Sequence, residues 1–417
     1  MVKKYSGIVC LAIAVLFMFC AGPVMAKEIK YPVYSFTEEE LAAVRAWEKE
    51  WVGKKIDSTN VDSVKDMLPP SNYDFLKNAE QWGASFFEIV PYEPYPFTPG
   101  KVKFTKQGNA KVDANGILTD YVAGVPFPEP KTGMEIGWNF WTWNRFDMSE
   151  RKAYGYITDG RLKYDRNIGQ LAHAMQFSGR CDTPPVPEFA KNPKKIFRAS
   201  MSTWVNPAEL KGNITLEIRY KDWAREYDAW QFNAANRRVR RLSTAERMET
   251  IDGADFSRDD SGHWDGLMTR NEYNITGRKD MLISRHQDMK KLTHSEGEVL
   301  LSGWQKERVK VWVVDVKTKD KGYIYAKQTW YVDPELWKIM YSEKYDKYGK
   351  MWRVQVHPHV AQEGQNGVVD VEYYGSNGVD VQRKHSTHIL LDPAGAVMGG
   401  KLKTSFFTPK NLLKLGR

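Results

Sequence analysis

Cysteine is scarce, with 3 in the 417-residue chain. Two of them, Cys10 and Cys20, fall within an opening segment patterned as a secretory leader. Lys3 and Lys4 give its positive start, Ile8 to Gly22 its apolar core, and Val24-Met25-Ala26 a cleavage point after Ala26. The apolar run is shorter than the ~20 residues that span a bilayer. Phe19, where a lipoprotein signal needs a small side chain, argues against lipid attachment at Cys20. Export leaves Cys181 as a lone thiol, which cannot form an internal disulfide even in an oxidising compartment. With no histidine near it in the sequence, Cys181 reads as a bystander and not as a nucleophile.

Other absences narrow the function. After the leader no segment approaches transmembrane length, so the expected product is soluble in the periplasm, with peripheral contact to the outer membrane allowed. No βαβ rhythm is present, which argues against a parallel nucleotide-binding sheet, and no solenoid period recurs. Nucleophile elbow, phosphate loop, dinucleotide fingerprint and helical His-Glu-x-x-His motif are all missing. The acidic stretch Asp252 to Asp265 does not carry the alternate oxygen ligands of a calcium loop. His357 with His359, and His385 with His388, are short pairs, but zinc needs three or four convergent ligands. No catalytic residue, metal or cofactor is therefore assigned. The formal charge of +9 is spread along the chain without a basic tail. It suits anionic surfaces or ligands, and nucleic acid is not expected in that compartment.

Aromatics are what the chain has in excess. Its 15 Trp, 21 Tyr and 18 Phe are scattered among charged residues, a composition suited to a wide sheet with covered faces or a ring-lined cavity. Thr37-Glu38-Glu39-Glu40 is a capping box, and Leu41, Val44, Trp47 and Trp51 follow on one helical face. Further helices are predicted over Val61–Met67, Tyr73–Trp82 and around Gly137–Asn144, and proline-rich straps over Pro91–Pro99 and Asp120–Pro130. Beyond these, period-two alternation predicts consecutive antiparallel hairpins. Strands are expected at Ile214–Tyr220, Ala229–Phe232, Arg237–Leu242, Val309–Val316, Tyr323–Tyr331, Lys338–Tyr345, Met351–Val356, Val368–Tyr374 and His388–Leu391. In Val309–Val316 both faces are apolar, so both must be covered. The economical picture is a curved sheet whose concave face encloses the N-terminal helices, a ligand, or both.

Trp230-Gln-Phe232 turning into Arg237-Arg-Val-Arg-Arg241 resembles a hairpin of the lipoprotein-carrier type. Trp330 to Trp337, followed by Tyr345-Asp-Lys-Tyr-Gly349, is similar to that fold's second hairpin. With Tyr121 to Phe127 and Asp259-Asp260 ahead of Gly277-Arg278, the ordered set resembles the family called domain of unknown function 1329, from about Ser35 onward. The resemblance implies an open antiparallel half-barrel closed by helices, with an apolar cavity able to receive acyl chains. It brings no established activity, and the extra N-terminal segment could fill the cavity.

The expected fold class is thus α+β, a large curved antiparallel sheet with N-terminal helices and proline-rich straps. Its expected divisions are a leader over 1–26, a helical and proline-rich segment over 27–118 and the half-barrel over 119–417. Trp230, Phe232, Trp312, Trp330 and Trp352 are the cavity-lining candidates. Arg237 and Arg241 share one face of their strand, and Arg238 and Arg240 the other. One pair should then meet carboxylates such as Asp252, Asp255, Asp259 or Asp260, or an anionic headgroup. The function expected is a periplasmic carrier for a lipid, lipoprotein or other hydrophobic ligand, delivering to an envelope transporter or outer-membrane protein. The alternatives are an adaptor in an envelope complex with a self-filled cavity and, ranked lower, an envelope hydrolase.

Overall fold

In a computed structural model, the described residues are 35–416 apart from 96, 143–145 and 393–395; the leader read over 1–26 lies outside them. The capping box forms as expected: Thr37 Oγ1 accepts from the Glu40 N–H at 3.2 Å, and Glu40 accepts from the Thr37 N–H at 2.8 Å. It starts α1 (Glu38–Trp51), followed by β1 (Lys55–Ile56) and a short tight-wound turn at Val61–Met67. Next come α2 (Pro70–Lys77), α3 (Ala79–Trp82), β2 (Phe87–Ile89), α4 (Pro99–Gln107), β3 (Lys111–Val112) and β4 (Leu118–Thr119). The segment expected to be one helix over Tyr73–Trp82 is split at Asn78. A second capping box, Thr132 with Glu135, precedes α5 (Gly133–Thr142).

The rest is strand. β5 (Met148–Thr158), β6 (Tyr164–Gln176), β7 (Ile196–Asn206), β8 (Ile214–Tyr220), β9 (Asp228–Asn233) and β10 (Arg238–Arg241) form one antiparallel meander. β11 (Asn271–Ile283), β12 (Trp304–Thr318), β13 (Lys327–Asp333), β14 (Lys338–Tyr345) and β15 (Met351–Val356) form a second. β16 (His359–Glu363) and β17 (Val369–Tyr373) make a separate ribbon. Then β18 (Gly375–Asp380) and β19 (His385–Leu391) return to the main sheet; β20 (Val397–Met398) and α6 (Pro409–Leu415) close the chain. The sheet has 16 strands, in the order β1-β2-β12-β13-β14-β15-β18-β19-β5-β6-β7-β8-β9-β10, with β11 beside β12 and β20 beside β5. The pairing of β19 with β5 joins the two meanders. β10 does not pair with β11, so the sheet is open.

Both faces of β12 are covered, as its sequence requires. Val309, Val311 and Val313 pack with Val44, Val61, Phe75 and Phe87 from the N-terminal segment. Val314, on the other face, pairs with Trp330, which packs against Phe140 of α5 and against Trp264. Gly133 permits this close approach, since a Cβ there would lie 2.5 Å from the Tyr273 carbonyl oxygen of β11. The outer face of the first meander is covered differently: Met201, Leu216, Ile218 and Phe232 bury Phe407 and Leu412 of the C-terminal segment.

The inner face is the side occupied by α5 and the loop at 258–265. Seven strand-to-strand steps separate β14 from β8, about 34 Å across a flat sheet at ~4.8 Å per step. Residues of both nonetheless line one small cavity, so the sheet curves around α5. One expectation is corrected here. The N-terminal helices cover the outer face of the second meander, and α5 with Trp264 fills the inside.

Candidate functional site

Strand register builds the cavity wall. Ser149 opposes Ala174, Ala174 opposes Ser200 and Ser200 opposes Glu217, while Gln176 opposes Arg198. Because side chains alternate along a strand, this set and Arg151 all face inward. Across from them stand Phe140 and Trp141 of α5, Trp264 and Asp265 of the loop, Lys338 and Ile339 of β14, and His357, His359 and Tyr373. The space they leave is about 170 Å³, below the ~300 Å³ at which ordinary ligand pockets begin. Beside this cavity the interior is filled by ring packing: Trp141 stacks on Phe197 at 5.6 Å and meets Trp138 edge-on at 6.0 Å.

Most charges around the cavity are answered by protein groups. Arg151 pairs with Glu372 at 3.4 Å and donates to Ser149 Oγ at 2.9 Å. Asp265 receives Arg198 at 2.9 Å and also Arg219. Glu217 accepts from the hydroxyls of Ser200 at 3.4 Å and Tyr227 at 3.5 Å. Gln176 is different. It is 2% exposed, and neither its Oε1 nor its Nε2 has a hydrogen-bond partner. Arg151 Nε, Trp141 Nε1 and Trp264 Nε1 on the same wall are also buried without partners. Burying such atoms unpaired is costly, about 1–3 kcal/mol each. Of these atoms only Gln176 Oε1 is an acceptor, so the wall presents an excess of donors.

The residues selected from sequence fall mostly elsewhere. Arg237, Arg238, Arg240 and Arg241 are all exposed on and beside the edge strand β10. Arg240 pairs with Glu246 and Arg241 with Asp228; the pairing with Asp252, Asp255, Asp259 or Asp260 does not occur. β10 is an edge strand whose arginine heads reach solvent, so the partners they find are the neighbouring Glu246 and Asp228 and not the carboxylates of the 252–260 stretch. Asp259 and Asp260 are buried at 0% and 1% exposure. Asp259 meets Arg247 and Arg270, and Asp260 meets Lys344 and, at 3.5 Å, Arg353. Those cations hold the Asp260 carboxyl below the usual range against the opposing effect of burial. Asp255 binds the His385 ring at 2.8 Å. Asp255, Asp259, Asp260 and Asp265 are thus each engaged by protein groups.

Of the cavity candidates, Trp230 and Phe232 face outward, into the cluster that buries Leu412. Trp330 is fully buried among Phe140, Trp264 and Tyr273. Trp312 stacks under Arg278 at 4.9 Å, and Trp352 donates to Asp380 at 2.9 Å. None of the five is on the wall of the 170 Å³ cavity. His357 and His359 do share that wall, and the His357 ring lies 3.9 Å from that of His263. His357 Nε2 bonds Ser376 Oγ at 2.8 Å, but Ser376 is outside the cavity lining. Among the described residues no group of three or more His, Cys, Asp or Glu could hold a metal. Cys181 is buried, which pushes its thiol far above the ordinary range.

Apart from His357 and His359, the residues that build the wall were missed because a polar inner face has the pattern of a solvated one. The alternation Ser149-x-Arg151, Ala174-x-Gln176 and Arg198-x-Ser200 puts little apolar signal inward, Ala174 alone, while Met148, Met175 and Ala199 join the apolar cluster outside.

The chain is similar to several known proteins. An uncharacterized protein of Pseudomonas aeruginosa is 26% identical over 323 residues, spanning 72% of this chain and 67% of its own. A DUF1329 family protein from Desulfovibrio piger aligns at TM-score 0.48 and 15% identity, over 67% of this chain and 97% of its own. A protein domain from Vibrio parahaemolyticus named for outer membrane lipoprotein sorting aligns at TM-score 0.47 and 14% identity, over 68% and 98%. The family model described as protein of unknown function (DUF1329) matches residues 55–413, and on that match the chain belongs to this family.

Proposed function

We propose that the protein is a binding protein of the bacterial envelope that grips the polar, oxygen-rich end of an amphiphilic ligand in the inner cavity. The observation that carries this reading is Gln176, whose two amide atoms are buried and unpartnered on the cavity wall. A neutral amide offers donors and an acceptor together, and Trp141, Trp264 and Arg151 add donors. An ester or carboxylate end would satisfy the donors, and a polyol end would satisfy Gln176 Oε1 as well. A volume of 170 Å³ is near the ~150 Å³ that admits a benzene-sized guest, so it takes a headgroup and not a whole lipid. The rings of Phe140, Phe146 and Tyr373 on the same wall would meet the adjoining apolar part of the ligand. The leader over 1–26 supports export to the periplasm, and an envelope transporter or outer-membrane protein would receive the cargo.

Mass spectrometry of solvent extracts from the exported, purified protein tests this. An amphiphile with an oxygen-rich end is the expected finding. Empty extracts, together with a stripped chain that binds neither a fluorescent fatty-acid probe nor a short-chain carboxylate, would count against it. A second reading, an adaptor with a self-filled interior, is favoured by the packing of Trp138, Trp141, Trp264 and Trp330. It predicts that the extracts are empty and that Gln176→Leu has no effect beyond stability.

A further inference from the structure

We propose that the edge formed by β10 and α6 docks on an anionic membrane surface. This rests on observations separate from the cavity. α6 packs against β8, β9 and β10, burying Leu412 beside Phe232. The same short helix leaves Leu413 and Leu415 exposed at 41% and 47%. Among the described residues it is the only helix or strand with two exposed large apolar side chains. Lys410 and Lys414, one on each side of Leu413 in the chain, are exposed, and Leu415 follows Lys414.

The neighbouring strand supplies the rest of the charge. Arg237, Arg238, Arg240 and Arg241 are exposed. Glu246 offsets Arg240 and Asp228 offsets Arg241, while Arg237 and Arg238 have no ion pair among the described residues. Arginines on an edge strand are a known device against edge-to-edge pairing. That device does not account for two solvent-facing leucines beside exposed lysines on the adjoining helix. Apolar side chains bordered by cations are what an interfacial segment presents to headgroups and the upper acyl region.

The test uses the processed full chain with phosphatidylcholine vesicles, with and without phosphatidylglycerol, in a flotation assay. Binding is expected only when phosphatidylglycerol is present, and it should weaken as sodium chloride is raised. Arg237→Gln with Arg238→Gln should lower the partition coefficient about twenty-five-fold, at roughly fivefold per basic residue. Leu413→Ser with Leu415→Ser should abolish the binding that survives at high salt. All four positions are exposed, so thermal melts should show both variants folded. No binding by the parent chain, equal binding to neutral vesicles, or either variant binding as well as the parent would overturn the proposal. So would concentration-dependent self-association through this edge in place of vesicle binding, which would make it a protein interface.

Discussion

Asp260 keeps its charge inside the protein because several groups answer it: Lys344 and Arg353 as cations, the Tyr325 hydroxyl at 2.8 Å, and the Ser257 N–H at 2.7 Å. Removing one member strands the others. Asp260→Ala should cost about 3–5 kcal/mol in urea denaturation, whereas Asp260→Leu combined with Lys344→Met should recover much of the loss. Lys306 is the opposite case. It is 2% exposed, its ammonium lies over Phe87, Trp304 and Tyr341 at 4.7–5.5 Å, and burial lowers its pKa to about 7. Between there and the ordinary lysine value the unfolded chain binds more protons, so stability rises with pH across that window. Below pH 7 the penalty is present in full. Lys306→Met should therefore raise the melting temperature most below pH 7, and its gain should shrink toward zero as pH approaches the usual lysine range. A gain independent of pH would contradict the burial argument. At this scale the sequence was least legible. The basic run and the acidic pair could each be seen to need partners, but which partners they find depends on which strand is an edge.

Among the elements, α1 and the strap after β2 show how far local signals reach. The capping box of Thr37 and Glu40 was legible because both of its bonds are local, and Thr37→Ala should cost about 1 kcal/mol, measured by denaturation. Proline marked the strap, but its anchor was invisible. The Glu335 carboxylate accepts from the Tyr92 hydroxyl at 2.6 Å, the Tyr95 N–H at 3.0 Å, Ser35 Oγ at 2.6 Å and Arg285 at 2.5 Å. These groups lie more than two hundred residues apart in the chain for the strap and the N-terminus. Glu335→Gln keeps the shape and removes the charge facing Arg285. Hydrogen exchange at Tyr92 and Tyr95 should then accelerate at least tenfold while strands of the first meander stay protected; uniform acceleration would mean that Glu335 acts on global stability alone. The strands read correctly, such as Met351–Val356 and Ile214–Tyr220, have apolar alternation or tight turns. β5, β6 and β7 were missed because their inner face is polar.

At the scale of the molecule, antiparallel pairing followed from the ladder of short turns, and the open edge from the family resemblance. The β19–β5 junction that fuses two meanders has no local signal, and neither does the choice of α5 over the N-terminal helices as the filler of the interior. That choice turns an expected acyl hollow into a small donor-rich cavity, and the functional account depends on it. Gln176→Leu separates the two readings of that cavity. Removing a buried amide that has no protein partner should leave the ligand-free chain as stable as the parent or more so, while eliminating ligand capture. The decisive measurement is native mass spectrometry of the exported parent and the Gln176→Leu protein, prepared side by side. The account predicts a bound amphiphile on the parent and none on a folded Gln176→Leu chain; equal ligand occupancy on both would contradict it.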